Sequence, residues 1–163
     1  MRLPRQMCNS GLALAFLAAP MLHAAVFDIT SFGAKGDGKT QNREAINKAV
    51  DAAAAVGGGT VDIPAGTWIT GSIRLRSNVT LHLGRGAVIE ASSETSSYDP
   101  PEPNQWDKFQ DFGHSHFHNS LIWGEGLENI AITSGGRISG KALTRGERGG
   151  GADKVLAINP RAT

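Results

Sequence analysis

The sequence predicts an all-β protein built from short repeated strands, with a single helix ahead of them. Three observations point there. Glycine makes up 21 of 163 residues, about twice the usual share of roughly 7%, with no Gly-X-Y period, so turns rather than a collagen-like rod account for it. The spacing of apolar residues changes near residue 57 from the 3.6 of a helix to the 2 of strands. Two segments 51 positions apart, Asn78-Val79-Thr80-Leu81-His82-Leu83 and Asn129-Ile130-Ala131-Ile132-Thr133-Ser134, repeat one pattern. Such a repeat fits two turns of a solenoid of roughly 25 residues per turn. On pattern alone an ordinary β-sandwich remains an alternative.

The first 24 residues read separately from the rest. Arg2 and Arg5 make a positive start, Leu12 to Ala19 is an unbroken apolar run, and no acid precedes Asp28. This is the layout of a secretory signal peptide at 1–24, with an apolar run too short to span a bilayer. Removing it takes the one cysteine, Cys8, and all three methionines, leaving 14 basic and 15 acidic residues. The expected product at 25–163 is thus exported, nearly neutral and free of disulfides. Its charge balance argues against a nucleic-acid partner, and nothing in it calls for a membrane once the leader is gone.

Asn42 to Val56 is the convincing helix. Ala45, Ile46, Ala49, Val50, Ala53 and Val56 form one apolar stripe, Asn42 is placed to cap its start, and Gly57-Gly58-Gly59 stops it. Lys35-Gly36-Asp37-Gly38-Lys39-Thr40 lacks the spacing of a phosphate-binding loop and reads as a turn. Alternating runs follow at Val61 and Ile63, at Ile73 and Leu75, at Val79, Leu81, Leu83 and Val88, and again at Leu121, Trp123, Ile130, Ile132 and Ile138, separated by Gly, Pro and Asn turns.

Residues 94–118 interrupt the strands with three prolines and gather aromatic and histidine residues. Long insertions of this kind often hold functional residues. His114, His116 and His118 alternate, so a strand would present them on one face, as a metal site or a sugar-facing surface would need. No cysteine supports a metal, and the expectation is none. Trp106, Trp123 and Tyr98 offer flat faces for a sugar, or else pin the insertion to the body of the fold. The residues expected to touch a substrate are Trp106, His114, His116, His118 and Trp123. Asp99, Glu102, Asp107 and Asp111 are numerous enough for the acid and base of a glycosidase, yet a Pro-rich segment more commonly carries such charges as solvated surface.

Two longer stretches add a resemblance. Phe27-Asp28-Ile29-Thr30-Ser31-Phe32-Gly33-Ala34-Lys35-Gly36-Asp37-Gly38, then a helix and Gly57-Gly58-Gly59-Thr60-Val61-Asp62-Ile63-Pro64-Ala65-Gly66-Thr67-Trp68, resemble the opening of the pectin-lyase-like superfamily. Gly71 to Leu83 and Leu121 to Ile132 narrow the resemblance to bacterial polygalacturonase-type enzymes of glycoside hydrolase family 28. It implies a right-handed parallel β-helix, here its first coils only, with the helix at 42–56 as an N-terminal capping element. It also implies a family that hydrolyses α-1,4 bonds of polygalacturonan with inversion, using aspartates and no cofactor, on a pectin-like plant cell-wall polysaccharide, and a monomer when complete. The family's Asn-Thr-Asp, Asp-Asp, Gly-His-Gly and Arg-Ile-Lys signatures are missing. Gly113-His114-Ser115 and Arg137-Ile138-Ser139 are near-misses in the part that precedes those signatures. The resemblance therefore assigns no catalytic residue to this chain. It suggests the N-terminal part of such an enzyme, breaking off near Val155-Leu156-Ala157-Ile158 where another coil is due. A polysaccharide-binding β-helix module of tailspike or polysaccharide-lyase type is the rival expectation.

Overall fold

The computed structural model describes residues 25–103, 116–143 and 154–159. The signal peptide expected at 1–24 lies outside them. Among the described residues, the strands form three parallel sheets, each pairing coil on coil. The first holds β1 (Val26–Asp28), β3 (Gly59–Ile63), β6 (Val79–Leu83) and β9 (Ala131–Ser134). The second holds β2 (Asp37–Gln41), β4 (Gly66–Thr70), β7 (Ala87–Ala91) and β10 (Arg137–Ser139). The third holds β5 (Ile73–Arg74), β8 (Ser120–Glu125) and β11 (Lys154–Asn159). From β3 on, successive strands visit the three sheets in turn, so the chain winds as a parallel β-helix. Its hand is right, as parallel crossovers almost always are.

Because the strands are in register, like side chains stack along the axis. Val61 lies beside Leu81, and Leu81 beside Ile132. Trp68 stacks on Ile89, and Ile73 on Ile122. Of these, all but the partly buried Ile132 are essentially removed from water. Period-2 patterning sends every second side chain inward, which is how a coil with so few residues fills a core. The phase differs from expectation in β7 and in β8, where Leu121 and Ile122 are buried and Trp123 stands beside Arg74 on the outer side. Val88 faces outward, while Ala87, Ile89 and Ala91 are buried. Val88 and Ile89 are adjacent apolar residues, and such a run leaves the inward phase open until its neighbours are known.

The helix α1 runs Arg43–Ala55 and closes the N-terminal end. Ile46, Ala49, Val50 and Ala53 are each fully buried, against the Ile29–Phe32 turn and strands β1, β3 and β5. Gly57, at φ 92°, turns the chain out of the helix, and the Gly57 and Gly58 amides donate to the Ala54 and Ala53 carbonyls. Val56 is therefore past the helix and 65% exposed, outside the stripe the sequence assigned it to. Asn42 stands at the cap position but its side chain does not cap. It accepts from the Lys35 amide at 2.7 Å and donates to the Lys35, Thr40 and Ile69 carbonyls. It ties the entry segment to β4. The turn expected at 35–40 gives way at Asp37 to β2, which pairs with β4 through Asp37 and Gln41, and the Asp37 carboxylate accepts from the Lys39 and Thr40 amides. Those bonds, with one from the Thr40 hydroxyl, hold Asp37 down at about 2.

The repeat spacing also needs correction. Gly59 pairs with Val79 and Gly66 with Ala87, so a plain turn takes 20 to 21 residues. Thr80 pairs with Ala131, so the two similar segments, 51 apart, are one turn apart and not two. The extra length is the link between the second and third sheets. In one coil that link is Gly71-Ser72, and in the next it is residues 92–119. The neighbouring coils are locked by Asn78 and Asn129, both at positive φ (63° and 53°), with the Asn129 amide donating to the Asn78 side-chain oxygen at 2.9 Å. Asparagine tolerates this backbone region better than other residues with a side chain.

Candidate functional site

The insertion leaves the second sheet at Ser92 and rejoins the third at Ser120. Its two ends are stitched together around Ser72. The Ser72 amide donates to the Ser97 carbonyl, the Ser72 hydroxyl donates to the Ser120 carbonyl at 2.8 Å, and the Asp99 amide donates to the Ser72 hydroxyl at 2.9 Å. Gly71 is required here because a Cβ would run into the Ser97 carbonyl. Tyr98 is buried and donates its hydroxyl to the Ser92 carbonyl at 2.6 Å, and burial pushes the phenol up to about 12. It pins the insertion rather than presenting a face to a sugar.

Asp99 is the hub of the site. Its carboxylate is 5% exposed and takes ion pairs from Arg43 on α1 and Arg74 on β5. Arg74 Nε and Trp123 Nε1 each donate to Asp99 Oδ2 at 2.8 Å. Burial alone raises this carboxyl, but the hydrogen bonds from Arg74 and Trp123 and the charges of Arg74 and Arg43 outweigh it and hold the group below the usual carboxylate value. Arg74 in turn is raised by its bond to Asp99. The sequence expectation of solvated charge does not hold for Asp99, which is buried and fully engaged.

Glu102 repeats the theme. Its two carboxylate oxygens accept from the Phe117 and His118 amides at 2.7 and 2.9 Å. Burial raises it, while the amides of His118, Glu102 itself and Phe117, with the His118 ring, lower it more. A general acid for glycoside hydrolysis needs a raised pKa. Both carboxylates are lowered instead, and both are committed to holding the insertion in place. Asp107 and Asp111 lie outside the described residues.

Of the three alternating histidines, His114 lies outside the described residues, and His116 and His118 do not stand on a strand. His116 and His118 precede β8, His116 being buried and His118 half-buried. The His118 ring stacks on Trp123 with centroids 3.9 Å apart and an interplanar angle of 24°. Its Nε2 is 3.3 Å from Glu125. Among the described residues, no three ligand-type side chains converge as a metal site would need. Of the five residues expected to touch substrate, the structure brings His118 and Trp123 together, places His116 beneath the surface, and leaves Trp106 and His114 outside the described residues. Arg43 and Arg74 went unnoticed in the sequence. Their only signal is outward placement on a helix and a strand, and nothing local links them to Asp99.

Comparison with known proteins gives consistent matches. The family described as Rhamnogalacturonase A/epimerase, pectate lyase-like, matches residues 26–144. An exo-poly-α-D-galacturonosidase of Dickeya chrysanthemi is 45% identical over 73 residues, covering 45% of this chain and 12% of that protein. A probable polygalacturonase of Vitis vinifera is 34% identical over 141 residues, covering 82% of this chain and 28% of that protein. The crystal structure of a hyperthermoactive exopolygalacturonase from Thermotoga maritima superposes with a TM-score of 0.61 at 29% identity, over 72% of this chain and 25% of that one. The chain thus spans well under a third of the length of each of these relatives.

Proposed function

The chain belongs to the rhamnogalacturonase A/epimerase, pectate lyase-like family, and from that premise we propose that it forms the N-terminal cap and first coils of a secreted pectin-degrading glycoside hydrolase. The observation that supports this reading is the joint one of fold and kinship. A family match spanning the cap and coils from residue 26 to 144 coincides with relatives named as polygalacturonases. In this reading the leader at 1–24 directs export, and the reaction is inverting hydrolysis of α-1,4-galacturonosyl bonds. The acid and base of that reaction come from coils other than these, because the two well-described acidic hubs here, Asp99 and Glu102, are depressed and consumed by structure. The cap and the anchored insertion then serve to end the solenoid and to shape one end of the polysaccharide-binding face.

The test is the exported chain, whose N-terminus is expected near Ala25, incubated with polygalacturonate and assayed for new reducing ends. The expected result is none above a heat-killed control, since removing a whole catalytic set leaves only residual rate. Steady release of reducing ends would place the catalytic pair within this chain and contradict the assignment of roles.

A further inference from the structure

His118 occupies a place that suits one charge state of its ring and not the other. The ring lies between two carboxylates. Nδ1 is 3.9 Å from Glu102 Oε2, and Nε2 is 3.3 Å from Glu125 Oε2. An ionised carboxylate only accepts, and a neutral imidazole carries one N–H. The neutral ring therefore serves one of these partners and turns a lone pair toward the other. The protonated ring carries N–H on both nitrogens and pairs with both. The third neighbour favours the same state. The ring stacks on the Trp123 indole, and the face of an indole attracts a cation.

These contacts join three separate parts of the chain. Glu102 belongs to the start of the insertion, His118 to its end, and Glu125 closes β8. Glu102 also accepts from the Phe117 and His118 amides, so the two ends of the insertion already meet at its carboxylate. Burial raises Glu102, but the His118 amide and the other amides around it lower it more, so it stays ionised where histidines titrate. Other charged groups flank the cluster. Asp99 accepts from the Trp123 indole N–H and is matched by Arg43 from α1 and by Arg74, the register partner of Trp123 on β5. Lys154 on β11 is the register partner of Ser120, and His116 is buried two residues before His118. With Asp99 matched by two arginines, Glu102 and Glu125 are the negative charges that a proton on His118 answers.

We propose that His118 is a proton-operated clasp at the root of the insertion. Charged, the ring holds Glu102 and Glu125 together over Trp123 and fastens both ends of the insertion to β8. Neutral, it leaves one carboxylate facing a lone pair, and the root loosens. The His118 side chain is 26% exposed, so protons reach it from solvent. Glu125 is 53% exposed, and water screening keeps the effect modest. The clasp is fastened at acidic pH, where histidine is charged, and released as pH rises past neutrality.

Hydrogen exchange of the Phe117 amide, which donates to Glu102, tests this in the full chain. Protection is compared at pH 5.5 and pH 8, after correction for the intrinsic pH dependence of exchange, with the Leu81 amide in β6 as reference. Two variants accompany the wild type: His118→Phe, which keeps a ring against Trp123 without the charge, and Glu125→Gln, which keeps the shape of one partner. In the wild type, Phe117 is expected to be about fivefold better protected at pH 5.5 than at pH 8, the scale of two partly exposed ion pairs. The difference is expected to vanish in His118→Phe and to fall to about twofold in Glu125→Gln. Equal protection of wild-type Phe117 at the two pH values would overturn the clasp, and so would a pH dependence that survives in His118→Phe. If His118→Phe does not fold, Glu125→Gln decides: a pH dependence as large as that of the wild type would overturn the proposal.

Discussion

Replacing Asp99 with alanine is expected to destabilise the fold by about 2–4 kcal/mol, seen as a lower denaturation midpoint. The change strands Arg43, Arg74 and the Trp123 indole N–H together, and removing one member of a buried ion pair leaves the others without compensation. The upper figure is tempered because Arg74 is 44% exposed and water recovers part of its loss. The effect has a pH signature. Asp99 and Glu102 both have lowered pKa values in the fold. Their contribution is fully present above the unfolded carboxylate range near pH 4, and is lost as pH falls through the still lower folded values. The wild-type chain should therefore lose stability steeply below about pH 4, and Asp99→Ala should flatten that limb. An unchanged midpoint, or an acid limb as steep as the wild type's, would mean that Asp99 is not the anchor of the insertion.

Val50→Asp is expected to cost about 3–5 kcal/mol and to unfold the cap first. Val50 is fully buried on the inner face of α1 with Ile46, Ala49 and Ala53, and a carboxylate there has no partner. Because the helix covers the apolar end of the solenoid, its release exposes the first coil. Hydrogen exchange should show faster exchange in α1 and β3 than in β8. Protection of α1 equal to wild type would contradict the capping role.

How much of this was legible depended on whether the cause was local. The burial of Ile46, Ala49, Val50 and Ala53 follows from a 3.6 spacing that one helix imposes on its own residues. Inward Val79, Leu81 and Leu83 follow from strand alternation in the same way. Asn42 has the right residue type for a cap, but the Lys35 amide takes its side-chain oxygen, the atom a cap would use. Asp99 is separated in sequence from Arg43 by 56 residues and from Arg74 by 25, so no window of sequence shows them meeting. The 51-residue repeat was seen but divided wrongly, because an insertion inside one coil lengthens the turn without changing which strands pair.

That stacking is the central claim, and cysteine trapping tests it most directly. His82 and Thr133 are register partners on the outer face of β6 and β9, with His82 Nδ1 and Thr133 Oγ1 2.8 Å apart. In a Cys8→Ser background, cysteines at 82 and 133 should oxidise readily to an intramolecular disulfide, since adjacent parallel strands hold their Cα atoms within disulfide range. Failure of the 82 and 133 pair to form that bond under oxidising conditions would contradict the coil register, and with it the placement of the hub.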